Sequence, residues 1–523
     1  MPDLPSQPAA LSAPARKLAP YLLSFMAAVV LYTAGLNDHW RFQRDSAVYM
    51  GLGRSLAETG TYSFDYQPHV FVWPGFPAML SVLYRVFGES FLAMNVLVKL
   101  FGLGCIAMAL ALFGRLQLSG RQMLACFLLF AFSRTLYYYS SHVMADVPFT
   151  FFLVAGLYFG ARMLQSDGGA SWLWCAAASA AACAACFMRP LGPALLAGLA
   201  AGLWLRAGAA KRWAPNLGKT AVLIAPIGTL GAAWLLRCAT VNTSSHLGYY
   251  DVFIWRFGIV HAALHAVTEI PAAIGALSDA VLGVDFPPIG VFIFLVMGSG
   301  LIAALRRGER LLSVFGIVYL GGICLADPGR RYLLPALPVI LYWLVLGAGT
   351  MGAYVANRWR SVPSRRIARA GAALLLVALS VNVLRIAKVI YEQRSPDFYA
   401  ATGDGRMKNY FQLSDWLAQT AGPQDVVFAY EYRFLHYFSR VRTEPLPRGE
   451  RGWRGRRVQE VRRTAATAYF VSDPGKDPGA DARYVLRSYP DALAKVRSFG
   501  EVDLFRVSLD TIGKDEGWTI GAN

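Results

Sequence analysis

From its start to about residue 390 the chain alternates long apolar runs with short charged breaks, and beyond that point it becomes ordinarily polar. A membrane-spanning helix needs about 20 predominantly apolar residues. Runs at or near that length lie at 18–36, 91–113, 122–140, 146–164, 171–188, 189–206, 218–240, 289–305, 311–327, 330–350 and 368–390. They predict about eleven transmembrane helices, the pair within 171–206 being parted only by Arg189 and Pro190. Two breaks are long. Residues 37–90 carry WRFQRDSAVYMGLGRSLAETG, with Tyr49, Leu52, Leu56 and Ala57 at helix-like intervals, followed by HVFVWPGFPAMLSVLYRVFG. Residues 241–288 carry DVFIWRFGIVHAALHAVTEI. Amphipathic stretches of this kind are expected to lie in the membrane interface with their charged faces in water. Trp73, Phe76, Tyr84, Trp255 and Phe257 suit the aromatic belt found there.

After residue 390 the periodicity shortens. DVVFAY, AYFVS and EVDLFRV read as strands, and NYFQLSDWLAQT and DALAKVRS as helices, which predicts a small α/β domain over 391–523. The Arg-rich VRTEPLPRGERGWRGRRVQEVRR is expected to be a loop facing solvent or lipid headgroups, with acceptor binding as its alternative.

Composition supports the membrane reading. Charged residues make up 16% of the chain and hydrophobic types 56%, whereas a soluble domain carries about 25% charged residues. The net charge is +18, yet in 391–523 the 20 Lys and Arg face 18 Asp and Glu. The basicity therefore belongs to the membrane part and reads as topology and lipid contact rather than nucleic-acid binding. The seven cysteines are scattered. Cys183 and Cys186 form a CxxC inside WCAAASAAACAACF, an apolar helix where packing is the expected role, and no disulfide framework is implied. The first apolar run reads as a retained helix rather than a signal peptide.

Loop charges set the orientation. Arg16, Lys17, Arg115, Arg121, Arg162, Arg206, Lys211, Arg212, Lys219, Arg306, Arg307, Arg310, Arg358, Arg360, Arg365, Arg366 and Arg369 fall on one side, whereas the short loops opposite hold only Arg134, Arg189, Arg330 and Arg331. The positive-inside rule makes the first side cytoplasmic. The N-terminus is then cytoplasmic, and an odd number of spans puts 391–523 outside, in a multi-pass protein of the inner (cytoplasmic) membrane.

Ionisable residues within or beside a membrane default to functional hypotheses. On the outer side these are Arg44, Asp45, Arg134, His142, Asp146, Arg189, Arg330 and Arg331. Each also has a structural reading. Asp45 suits the first turn of a helix, Asp146 suits an N-cap ahead of Pro148, and lone histidines such as His69 and His142 are more often structural. Arg189 is harder to dismiss, because it interrupts the apolar run at FMRPLG. Arginine forks hold phosphate bidentately, and a carboxylate can take a proton from a hydroxyl nucleophile. Together these residues are equipment for moving a group from a phosphate leaving group to a hydroxyl.

The succession RDSAVYMGLGRSLAETGTYSF, VWPGFPAMLSVLYRVFG and ADVPFTFFLVAGLYF, followed by MRPLG and RRYLLPALPVI, resembles the polytopic GT-C glycosyltransferases. Within them it is similar to the bacterial branch related to protein mannosyltransferases and the lipid A aminoarabinose transferase. The resemblance runs in order through most of residues 18–350. It implies a polyprenyl-phosphate-linked sugar donor, hexose or pentose, and transfer at the outer face to a glycan, lipid or protein acceptor. By position, Asp45 matches the catalytic acid that would serve as general base, and Asp146 a second acid that would orient the acceptor or assist a metal. Arg189, Arg330, Arg331 and Tyr332 would neutralise the departing lipid phosphate. Arg44, Tyr49, His69, Arg134 and His142 are further candidates for substrate contact. Many relatives carry Asp-Glu in the first loop, whereas Asp45 is followed here by Ser46. That weakens the case for a divalent cation between Asp45 and Asp146, which would need several fixed oxygens. The competing readings are a transporter or flippase of a lipid-linked glycan, or another envelope transferase using a polyprenyl-linked substrate. The first would call for internal repeats and charges at the membrane midplane, and neither is visible in the sequence.

Overall fold

The computed structural model describes residues 13–205, 213–241, 258–325, 329–358, 364–447, 456–473 and 490–509. Trp255 and Phe257, Lys211 and Arg212, and the middle of the Arg-rich stretch lie outside them. The chain is a multi-pass membrane protein. Seven helices among the described residues are long and apolar enough to cross a membrane: Phe91–Phe113, Asp146–Gln165, Gly168–Met188, Trp213–Thr240, Pro287–Arg306, Arg330–Arg358 and Ala368–Arg394. Shorter apolar helices cover Leu18–Ala34, Gly75–Phe87, Pro193–Trp204 and Arg310–Cys324.

The run at 122–140, expected as one span, is two helices, Gly120–Ala131 and Arg134–Tyr139. Ser133 separates them, because its side chain caps the second helix by accepting from the Leu136 N–H at 3.3 Å. The break expected at Arg189 and Pro190 is present: one helix ends at Met188 and the next begins at Pro193.

Two compact units make up the molecule, the first from residues 1–38, 70–76 and 91–391, the second from 39–69, 77–90 and 392–523. In the first, helices approach closely where side chains vanish. A Cβ at Gly300 would run into the Trp343 carbonyl oxygen, and one at Gly347 into the Val296 carbonyl oxygen. Small residues therefore set the contact between the Pro287–Arg306 and Leu337–Arg358 helices.

The second unit is built on a hairpin and a mixed sheet. Strands β1 (Ser63–Phe64) and β2 (Gln67–Pro68) form the hairpin. Strands β3 (Val426–Ala429), β4 (Arg442–Pro445), β5 (Ala468–Ser472), β6 (Leu493–Phe499) and β7 (Val502–Val507) form a sheet in the order β4-β3-β5-β7-β6. β3 pairs in parallel with β4 and β5, and β7 is antiparallel to β5 and β6. Parallel neighbours require crossovers, supplied by the helices Tyr432–Ser439 and Arg456–Thr464. Val426, Phe428, Val461, Phe470 and Val507 form the core.

Two expectations fail here. DALAKVRS is not a helix: a short 3₁₀ turn leads into β6, which returns along β7 through a turn at Gly500, where φ is +58°. The Arg-rich segment is not simply a loop, since its ends form β4 and the Arg456–Thr464 helix.

The Arg44–Glu58 helix also departs from the expected interfacial helix with one wet face. Ser46 to Arg54 are buried without interruption. Gly51 lies against the Phe64 ring and Gly53 against Leu80, each so near that a Cβ would clash. Arg54 donates to the Tyr437 carbonyl at 2.8 Å. Trp40, fully buried, packs among Phe42, Phe434 and Phe438. Protein covers the middle of this helix, Ser46 to Arg54, while Arg44 and Glu58 at its ends stay exposed.

Candidate active site

Pro190 shapes one corner of the site. A residue before proline is driven out of the helical region, and Arg189 is extended at φ −153°, ψ 149°. Its guanidinium, on a residue only 9% exposed, reaches Asp146 Oδ2 at 2.8 Å. Arg331 donates its Nε to the other oxygen, Oδ1, at 3.0 Å. Asp146 is 1% exposed and opens its helix without capping it, since Ala145 occupies the cap position and no side-chain cap bond forms. The N-cap reading is thus replaced by a carboxylate gripped from both sides. The Tyr332 ring lies under both guanidiniums, with each Cζ 5.4 Å from its centroid.

A second cluster adjoins the first through the chain. Arg330 donates to Asp279 Oδ2 at 2.7 Å, and Arg134 to Asp279 Oδ1 at 3.1 Å. Tyr138 lies beneath both, 5.1 Å from Arg330 and 5.4 Å from Arg134. Asp279 stands in the last turn of the Gly258–Leu282 helix, where the helix dipole disfavours a negative charge. Two arginines offset that cost. His142 is buried, its Nδ1 2.8 Å from the Tyr138 carbonyl and its ring against Tyr138, which gives it a structural setting.

The other candidates belong to the second unit. Asp45 sits in the first turn of its helix with 41% of its side chain exposed, and Arg433 approaches its Oδ1 at 3.4 Å. Arg44 meets both oxygens of the buried Glu431 at 3.2 to 3.4 Å and stacks on Tyr430 at 4.3 Å. Burial lowers the Arg44 pKa, but the Tyr430 and Glu431 interactions outweigh it and hold the guanidinium above its ordinary range. Tyr49 is buried in the helix. His69 stands beside the hairpin, its amide donating to Tyr62 O at 3.0 Å and its ring 6.4 Å from Tyr62.

Ser46 occupies the place where many relatives carry a second acid. It is fully buried, accepts from Trp40 Nε1 at 2.8 Å and donates to the Gln43 carbonyl at 2.7 Å. A carboxylate there would be a buried charge in a space that already satisfies a hydroxyl. Both oxygens of Asp146 are engaged by guanidiniums, and no group of three or more His, Cys, Asp and Glu side chains comes together among the described residues. This donor set does not fit a divalent cation.

The sequence reading missed Asp279, Glu431 and Arg433, although each left a trace. Asp279 interrupts IPAAIGALSDAVLG, and Glu431 and Arg433 interleave with aromatics in AYEYRFLHYF. It also passed over Lys99, a lone cation in the Phe91–Phe113 helix. Lys99 is 4% exposed, with its ammonium 4.7 Å above Tyr137 and 5.6 Å above Tyr32.

Residues 21–241 match the family described as dolichyl-phosphate-mannose-protein mannosyltransferase. No curated protein matches the sequence. The structure is similar to that of ArnT from Cupriavidus metallidurans bound to undecaprenyl phosphate, with a TM-score of 0.61 and 14% identity over 96% of this chain and 100% of that one. This chain shares the fold of that ArnT structure. The fold is similar also to that of the oligosaccharyltransferase AglB from Archaeoglobus fulgidus, solved with an inhibitory peptide and a dolichol-phosphate. There the TM-score is 0.56 and the identity 12%, over 88% of this chain and 69% of that one.

Proposed function

We propose that this protein transfers a sugar, hexose or pentose, from a polyprenyl-phosphate donor to a hydroxyl of an envelope glycan, lipid or protein. The reaction takes place at the outer face of the cytoplasmic membrane. Along the chain, residues 1–390 supply the catalytic membrane domain with its first outer loop, and residues 391–523 an extracytoplasmic domain that shares the second compact unit with residues 39–69 and 77–90 of that loop.

The observation that carries this reading is the pair of clusters in which four guanidiniums face two carboxylates. Anchored on Asp146, Arg189 and Arg331 are pre-oriented donors for a phosphate. Asp45 accepts the proton of the acceptor hydroxyl while its oxygen bonds to the anomeric carbon. The carbon–oxygen bond to phosphate breaks with inversion, and polyprenyl phosphate leaves carrying the electron pair. Its growing charge is met by guanidiniums that need no reorganisation, which favours the transition state over the ground state. The lipid phosphates bound by ArnT and AglB support such a product. Asp146 serves here as the anchor of the arginines rather than as a second acid acting on the acceptor.

The test is incubation of the purified protein with a panel of undecaprenyl-phosphate-linked pentoses and hexoses together with membrane acceptors. Release of undecaprenyl phosphate with one donor is expected. No release with any donor, alongside movement of intact lipid-linked sugar across vesicles, would replace this reading with transport.

A further inference from the structure

The candidate base is gripped by a segment far away in sequence. Tyr430 to Arg433 run from the end of β3 into the Tyr432–Ser439 helix, with Tyr430 and Glu431 meeting Arg44 and Arg433 meeting Asp45. Glu431 is 2% exposed and lies within 3.4 Å of Arg44 through both oxygens, while Tyr430 closes one face of that guanidinium. Arg433 Nε donates to the Tyr432 hydroxyl at 3.0 Å, which fixes its own fork as it reaches Asp45 Oδ1.

We infer that Tyr430–Arg433 is the positioning element of the transfer reaction, with Arg433 aiming the Asp45 carboxylate and Glu431 holding the helix turn that carries it. This inference rests on the reading of Asp45 as general base. The physical reason is geometric. Asp45 is 41% exposed, so packing restrains its carboxylate only in part. A base must lie within hydrogen-bond reach of the hydroxyl it deprotonates, and a misplacement of about 1 Å can cost about 100-fold in rate. The contact at 3.4 Å restrains the carboxylate without burying it, and leaves the residue open to an acceptor arriving from solvent. Arg433 is itself 37% exposed, so a role in the stability of the unit accounts poorly for its orientation. Glu431 is different: buried and paired, it holds the first turn of the helix in place through Arg44.

The experiment uses the full-length protein and the undecaprenyl-phosphate sugar panel, with Asp45→Asn, Arg433→Ala, Arg433→Lys and the double variant Asp45→Asn/Arg433→Ala. Arg433→Ala is expected to lower kcat by about 10- to 100-fold while the KM for the lipid donor stays unchanged. Arg433→Lys, which keeps the charge without the fork, should recover part of that loss. Because Arg433 acts through Asp45, the double variant should be no slower than Asp45→Asn alone. An unchanged kcat in Arg433→Ala, a loss confined to KM, or a further drop in the double variant would overturn the positioning role while leaving Asp45 as base. Normal turnover in Asp45→Asn would instead remove the base assignment, and this inference with it.

Discussion

Arg330 and Arg331 are neighbours in the chain yet hold different acids, Arg330 meeting Asp279 at 2.7 Å and Arg331 meeting Asp146 at 3.0 Å. Successive helical residues project about 100° apart, so the short Arg330–Leu333 helix can splay its two guanidiniums to separate partners. One dipeptide thereby ties together the helices that begin at Asp146 and end near Asp279.

The two acids should not be equivalent when removed. Asp146 is 1% exposed, whereas the Asp279 side chain retains 20%. Breaking a buried ion pair by deleting one partner costs about 3–5 kcal/mol, and a partly solvated pair costs less. Asp146→Ala should therefore lower the thermal unfolding midpoint in detergent substantially, and Asp279→Ala by a smaller amount. Equal midpoints would show that the Asp146 cluster is not the firmer of the two.

Arg331→Ala removes one of the donors proposed to meet the leaving phosphate. Deleting a single oxyanion donor elsewhere costs about 10²–10³ in turnover. Release of undecaprenyl phosphate should fall within that range, with weaker use of the lipid donor. Unchanged turnover and donor affinity would take Arg331 out of the site.

Asp45→Asn should lose about 10²–10⁴-fold in turnover, the contribution of a positioned general base. Its side chain is 41% exposed, so the unfolding midpoint should stay near that of the parent. Expression, membrane insertion and melting are the controls, and retained glycosylation would refute the assignment.

The helix contact at Gly300 offers a prediction that is independent of function. Gly300→Leu drives side-chain atoms into the Trp343 carbonyl, and overpacking of this kind costs about 1–3 kcal/mol or more. Two residues earlier, Gly298 has nothing within 4 Å of where a Cβ would stand. Gly298→Ala should be neutral or slightly stabilising, because alanine is the better helix former by about 1 kcal/mol. Paired melting curves of the two variants test this directly.

Long apolar helices were legible because burial in lipid or protein demands runs of apolar side chains, and the break at Arg189 was legible because Pro190 enforces it. Other breaks depend on subtler chemistry. Ser133 follows the end of one helix and caps the next with a single hydroxyl, and nothing in FAFSRTLYYY marks that as stronger than the surrounding apolar pattern. DALAKVRS could be helix or strand by composition, and its partner β7 decided the matter. At the site, Arg189, Arg331 and Asp146 were singled out as separate residues, and the structure brings all three together. Their second counterpart, Asp279, was not, because a lone acid in an apolar helix announces a cost without naming the arginines that offset it. Glu431 and Arg433 were out of reach for a different reason, since their significance lies entirely in partners 387 and 388 residues away.

That separation bears on how the protein comes to be active. The Arg44–Glu58 helix emerges early in synthesis, but Glu431, Arg433 and Tyr437 are made only after every membrane helix has been translated. Contacts so distant along the chain form late. Until then Arg44 and Asp45 lack their contacts to Glu431 and Arg433, and in a truncated chain Arg433 would not aim the proposed base. The order of translation thus sets the order in which the Arg44–Asp45 turn acquires these contacts.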